Sequence, residues 1–176
     1  SKFVQVNVSD VVAVASGYEH SAYLQSDGTL LVCGENTEGQ LGLLVKQITE
    51  PVPIMHKVTA VACGAFMTAM LKDDGSLWIT GRIDSHTFET PEKMKDLGTD
   101  VMAVACGDSH VVVLKKDKAV WARGSNESGQ LGGGGRSRTV FKRIRNSNNA
   151  IGVACGSQYT AVLKSNNTVW ACGQKG

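Results

Sequence analysis

The chain has 176 residues, a formal net charge of +2, and 42% apolar, 6% aromatic and 19% charged side chains. That length suffices to bury about 70% of the unfolded surface in a single domain. It holds no apolar run of membrane length, no secretory leader and no basic amphipathic helix, so a cytoplasmic or nuclear setting is expected, alone or within a larger intracellular protein.

The first pattern is Phe3-Val4-Gln5-Val6, a short alternating segment. Val11–Ser16 follows as a β-branched run, and then Gly17–Gly34, GYEHSAYLQSDGTLLVCG. Within it, two apolar runs flank Asp27-Gly28, which suggests a hairpin with a type I′ turn. The unit recurs at Gly64–Gly81, Gly107–Gly124 and Gly156–Gly173, with the glycines 17 residues apart in every copy. The copies start 47, 43 and 49 residues apart. Each is entered through Val-Ala-Ser-Gly or Val-Ala-Cys-Gly and turns at Asp27-Gly28, Asp74-Gly75, Asp117-Lys118 or Asn166-Asn167. Fourteen residues past the first glycine stand Leu31, Trp78, Trp121 and Trp170, large side chains placed to pack between units. A fourth strand is expected at Pro51–Met55 and at Thr139–Ile144.

Four antiparallel strands in a period of this length predict an all-β fold of propeller blades, not a helical repeat. The blades are expected at about 11–55, 58–97, 101–144 and 150–176, as one domain or part of a propeller, with a strand at 3–6 that has no blade of its own. Four blades would have to turn about 90° each to close a ring. Phe3–Val6 is therefore expected to avoid Val169–Cys172 of its own chain. It would pair with that strand of a second copy, giving a homodimer, or sit at an open end of a longer propeller.

Glu35–Gly42 reads ENTEGQLG, and Ser125–Gly132 reads SNESGQLG. With the Ala-Cys-Gly entries, His20 and His110 three residues past the glycine, the Asp-Gly turns and the Trp-x-x-Gly exits, these strings resemble the repeat of the regulator of chromosome condensation family. The resemblance implies a β-propeller, usually of seven blades. Copy two departs from it: Arg82–His86 replaces the GQLG loop.

Five cysteines are present. Cys63, Cys106 and Cys155 share one repeat position and Cys33 and Cys172 another, which places them around a ring rather than in a cluster. They read as small buried apolar residues, with zinc and disulfide as the alternatives. His20 and His110 invite a catalytic reading, but copies two and four place Met67 and Tyr159 there, which favours a space-filling or backbone-bonding role. No catalytic set, cofactor or metal is expected. Gly132–Gly135 lacks the spacing of a phosphate loop, with Gln130 and Arg136 where glycine and lysine would be needed.

Charge is uneven. Residues 1–50 carry net −4 and residues 101–150 net +6. Arg136, Arg138, Lys142, Arg143 and Arg145 read either as a solvated outer strand protected from edge pairing or as a patch for an acidic protein, nucleic acid or lipid head group. The expected function is a non-catalytic protein-interaction module or scaffold presenting rim loops. The resemblance adds guanine-nucleotide exchange on a Ran-like small GTPase, with Asp84 as the nominated acidic contact, and chromatin association through the basic stretch.

Overall fold

Every copy of the repeat folds as an antiparallel sheet, and the turn chemistry explains where each hairpin bends. The computed structural model describes residues 2–174; residues 175 and 176, expected within the fourth blade, lie outside them. Blade 1 is β1 (Val11–Ser16), β2 (His20–Gln25), β3 (Leu30–Glu35) and β4 (Gln47–Met55). Blade 2 is β5 (Val58–Cys63), β6 (Met67–Lys72), β7 (Leu77–Ile83) and β8 (His86–Lys93), followed by a 3₁₀ turn at Lys95–Leu97. Blade 3 is β9 (Val101–Cys106), β10 (His110–Lys115), β11 (Val120–Gly124) and β12 (Arg138–Arg143). Blade 4 has three described strands, β13 (Ala150–Gly156), β14 (Tyr159–Lys164) and β15 (Val169–Gly173). Neighbours in each sheet follow chain order, and the inner strands β1, β5, β9 and β13 contact one another in sequence.

The hairpin turns are not type I′. Only the second residue of each pair has a positive φ: Gly28 at 86°, Gly75 at 79°, Lys118 at 61° and Asn167 at 63°. The N–H of Gly28 donates to Gln25 O at 3.0 Å, and Thr29 N–H to the Asp27 carboxylate at 2.9 Å. This is a type I turn closed by one left-handed residue. The aspartate selects it by capping its own turn two residues on, as Asp74, Asp117 and Asn166 do in the other blades.

The glycine that ends each unit is fixed by close approach. Gly34 has a φ of 116°, and a Cβ there would stand 2.3 Å from Glu19 O. No side chain fits, so β3 crosses the start of β2 without a gap.

The core lies between blades. Ala22, Leu24, Leu30 and Val32 of blade 1 meet Val58, Met70 and Trp78 of blade 2. Ala69, Leu77 and Ile79 of blade 2 meet Val111, Val113 and Trp121 of blade 3. Val112, Leu114 and Ala122 of blade 3 meet Val162 and Val153 of blade 4. Full burial of one such aliphatic side chain contributes about 1.5–3 kcal/mol. The two outward faces lack this cover. Val14 of blade 1 is 68% exposed and Val169 of blade 4 is 67% exposed, although their repeat counterparts Val61 and Leu77 are packed.

Two expectations change. Residues 2–6 form no strand, and Phe3 and Val4 are exposed. An isolated alternating segment without an adjacent edge has no ladder to join, so pattern alone does not order it. The described partner of β15 is β14. The Trp position packs between blades at Trp78 and Trp121, whereas Trp170 remains 51% exposed.

Candidate interaction rim

The meander puts the connections from first to second strand, and in blades 1 to 3 those from third to fourth, on one rim and the hairpin turns on the other. The first rim is built around two copies of one loop. In blade 1, the Asn36 side-chain amide donates to Leu43 O and Val45 O, and its carbonyl accepts from Leu41 N–H at 2.8 Å. In blade 3, Asn126 donates to Gly133 O at 3.0 Å and Gly135 O at 3.1 Å, and accepts from Leu131 N–H at 2.9 Å. Leu41 and Leu131 plug both loops into the core with no exposure.

The two histidines lock these loops to the next blade. Thr68 Oγ1 donates to Gln40 O at 2.7 Å, so it must accept from His20 Nε2–H at 3.0 Å. Thr160 Oγ1 donates to Gln130 O at 2.8 Å and accepts from His110 Nε2–H at 3.0 Å. This fixes the proton on Nε2, and both Nδ1 atoms are buried without a partner. Burial lowers the pKa of both imidazoles to about 4, against smaller opposing pulls from the Met67 carbonyl on His20 and from the Asp108 carboxylate and the Tyr159 backbone on His110. A Cβ at Gly17 would stand 2.2 Å from His20 Cε1, so glycine is what admits the ring. The chemistry left to these histidines is that of neutral structural donors.

Around the axis, a staircase of backbone bonds joins the blades. Tyr18 N–H donates to Ala65 O at 3.1 Å, Ala65 N–H to Asp108 O at 3.1 Å, and Asp108 N–H to Ser157 O at 2.9 Å. The Asp108 carboxylate accepts from Tyr18 OH at 2.7 Å and from Ser157 Oγ, which raises the Tyr18 pKa. Cys63, Cys106 and Cys155 line one axial hollow of about 210 Å³. The repeat positions predict the three standing apart around a ring; instead the inner strands bring them to one shared axial space. Burial pushes the Cys63 and Cys155 thiols up to about 12 and Cys106 well above its usual value, which disfavours the reactive thiolate. Among the described residues, no group of three potential ligands is placed to hold a metal.

The nominated contacts do not converge. Asp84, at φ 52° in the tight β7–β8 turn, lines a hollow of about 170 Å³ with Arg82, Asp108, Ser125, Glu127 and Gln158. None of the five basic residues lines it. Arg136 is exposed in the blade 3 rim loop, and Arg138 is part-buried at the rim end of β12. Lys142 and Arg143 are exposed further along that outer strand. Arg145 lies beyond it, in the cleft between blades 3 and 4 with Trp170 and Lys164. At about 3.3 Å per residue the run spans the height of a blade. It is a band, not a pocket.

Three features were absent from the sequence reading. Arg82 sits 4.9 Å from the Phe66 ring and 3.1 Å from Glu38, while Phe66 packs edge-on against Tyr18. Arg123 is buried over Phe88, with Nη1 3.5 Å from Met94 Sδ. Leu44 and Val45 are 81% and 49% exposed at the tip of the blade 1 loop. The Thr68 and Thr160 locks did have a signal: each threonine appears in the copy that follows a histidine copy.

Two models of the regulator of chromosome condensation repeat match, one at residues 11–40 and 102–130, the other at 27–71 and 117–163. The chain belongs to the regulator of chromosome condensation repeat family. It is 37% identical over 76 residues to the X-linked retinitis pigmentosa GTPase regulator homolog of Caenorhabditis elegans, covering 39% of this chain and 5% of that protein. Human WBSCR16 superposes with a TM-score of 0.82 at 24% identity, over 93% of this chain and 47% of its own. Prp20p of Saccharomyces cerevisiae, described with its binding properties to Gsp1p and histones, superposes with a TM-score of 0.81 at 19% identity, over 98% of this chain and 46% of its own. This repeat chain thus spans about half the length of the two solved chains.

Proposed function

We propose that the chain is a non-catalytic protein-interaction module whose partner-facing surface is the rim carrying residues 35–46, 82–85 and 124–137. The observation that supports this is the division of labour at the rim. His20, His110, Thr68 and Thr160 are committed to bonds that hold the loops, and the axial thiols are raised, while the loop tips stay free. A fixed scaffold with variable tips suits recognition. No cofactor is required, and a cytosolic or nuclear setting is part of the proposal. The test is a screen for hydrolytic and redox turnover: none is expected, and turnover abolished by His110→Ala with the fold intact overturns the reading.

A narrower reading is nucleotide exchange on a Ran-like GTPase, or chromatin association. It is favoured by the likeness to Prp20p and by the exposed Arg136, Lys142, Arg143 and Arg145. Release of labelled GDP from Gsp1p tests the first. Histone octamer and DNA binding between about 50 and 200 mM salt tests the second, because phosphate contacts weaken steeply over that range. Charge reversal at Arg143 and Arg145 that leaves every affinity unchanged returns the band to a solvated outer strand. Self-association is favoured by the open faces around Val14 and Val169, and light scattering decides it.

A further inference from the structure

The two GQLG loops provide an internal control. Asn36, Gln40 and Leu41 superimpose in role on Asn126, Gln130 and Leu131, with the same clamp onto two carbonyls at the tip. In blade 3 the tip residues Gly133, Gly134 and Gly135 have nothing within 4 Å of a virtual Cβ. The clamp therefore needs no side chain at the tip. Blade 1 nevertheless places Leu43, Leu44 and Val45 there, with Leu44 mostly in solvent and Val45 half exposed. They border a hollow of about 510 Å³ that is lined also by Thr87 and Glu89 of β8, by Glu38 and by Lys46, so that two carboxylates face one ammonium there. Arg82 lies 3.1 Å from Glu38; no ion pair of Glu89 occurs among the described residues. Exposed apolar side chains on a rigidly clamped tip, beside carboxylates, fit a ligand that is apolar and cationic.

We infer that Leu43–Val45 and Glu89 form a docking site for a protein segment that presents an aliphatic side chain flanked by Lys or Arg. The aliphatic group covers Leu44 and Val45, and the cation meets Glu89. This rests on the interaction-module reading and assigns its chemistry on blade 1, away from the basic band of blade 3.

The test uses a fluorescein-labelled nonapeptide of alternating leucine and arginine, with a leucine and glutamate counterpart, titrated by anisotropy against the 176-residue chain. The basic peptide is expected to bind at least tenfold more tightly and to slow amide exchange at residues 36–46 and 86–89. Replacing Leu43, Leu44 and Val45 together by glycine, the tip already tolerated in blade 3, should lower affinity at least tenfold with an unchanged melting midpoint. Leu44→Ser serves the same purpose if the triple variant does not fold. Glu89→Lys should reverse the preference between the peptides. Equal binding of both peptides, undiminished binding to the tip variants, or protection elsewhere overturns the inference. So does a concentration-dependent dimer that Leu44→Ser abolishes, which would make a second copy the occupant. Failure here with Gsp1p or histone binding intact leaves the module reading standing.

Discussion

The interfaces between blades 1 and 2 and between blades 3 and 4 are locked by polar relays, whereas the interface between blades 2 and 3 is apolar at the same position. His20 and His110 each meet a threonine of the next blade, and that threonine holds the GQLG loop through Gln40 O or Gln130 O. Between blades 2 and 3 the corresponding residues are Met67 and Val111, both buried in the shared core. Blade 2 also lacks the GQLG loop and turns tightly through Asp84. The relay is present where there is a loop to hold and absent where there is none. The repeat thus varies its interface chemistry with the loop it must support, which explains why one position accepts both His and Met within one chain.

The largest expected effect tests the apolar interface. Trp121→Ala should cost about 3–5 kcal/mol, since Trp121 packs against the core between blades 2 and 3 and its loss leaves a cavity. Trp170→Ala should cost under about 1 kcal/mol, because that ring is half exposed. Urea unfolding separates the two; equal losses would mean that the open cleft beside Trp170 is packed in solution.

Acid acts on the polar interfaces and spares the apolar one. Both histidines have a pKa lowered to about 4, below the ordinary 6.5. Their contribution is complete above pH 6.5 and is lost as pH falls toward 4, because the unfolded chain binds protons that the folded chain refuses. At about 1.4 kcal/mol per unit, each histidine should cost the chain up to about 3 kcal/mol over that window. A stability profile that stays flat from pH 7 to 4.5 would break the contrast, and replacing both histidines by glutamine should flatten it.

Within a relay, Thr68→Val should cost about 1–3 kcal/mol by removing the donor to Gln40 O and leaving His20 Nε2–H only the Met67 carbonyl, at 3.2 Å. Amide exchange should rise in residues 36–46 and not in 126–136. Exchange that rises equally in both loops would show that the relays do not act locally.

Much of the fold was legible because the repeat writes it four times: glycine spacing, turn residues and strand order recur, and any one copy corrects another. The turn type was not legible, because Asp-Gly suits both a type I′ turn and a type I turn closed by a left-handed residue; the hydrogen bond to Gln25 O decides between them. The strand at Phe3–Val6 failed because a strand is made by its neighbour, and the pattern names no neighbour. The candidate contacts were the least legible. Arg136 to Arg145 are close in sequence but strung along the outer face of blade 3, while Leu44 and Val45 looked like ordinary apolar residues until their exposure was known.

The smallest effect concerns one missing oxygen. In blades 2 and 4 the indole N–H donates to the hydroxyl two residues earlier: Trp78 to Ser76 at 3.0 Å and Trp170 to Thr168 at 3.1 Å. Each hydroxyl in turn donates to the turn residue, Asp74 or Asn166. Blade 3 has Ala119 at that position, fully buried, and Trp121 Nε1 is buried without a partner. The backbone there is already that of the other blades, since Ala119 N–H donates to the Asp117 carboxylate at 2.9 Å. Ala119→Ser should therefore place a hydroxyl between Asp117 and Trp121 and stabilise the chain by about 1 kcal/mol, the net worth of an ordinary hydrogen bond. The gain should vanish in a Trp121→Phe background, which has no N–H to satisfy. A gain that persists there would come from the turn alone, and a loss would mean that blade 3 has no room for the oxygen that its neighbours accommodate.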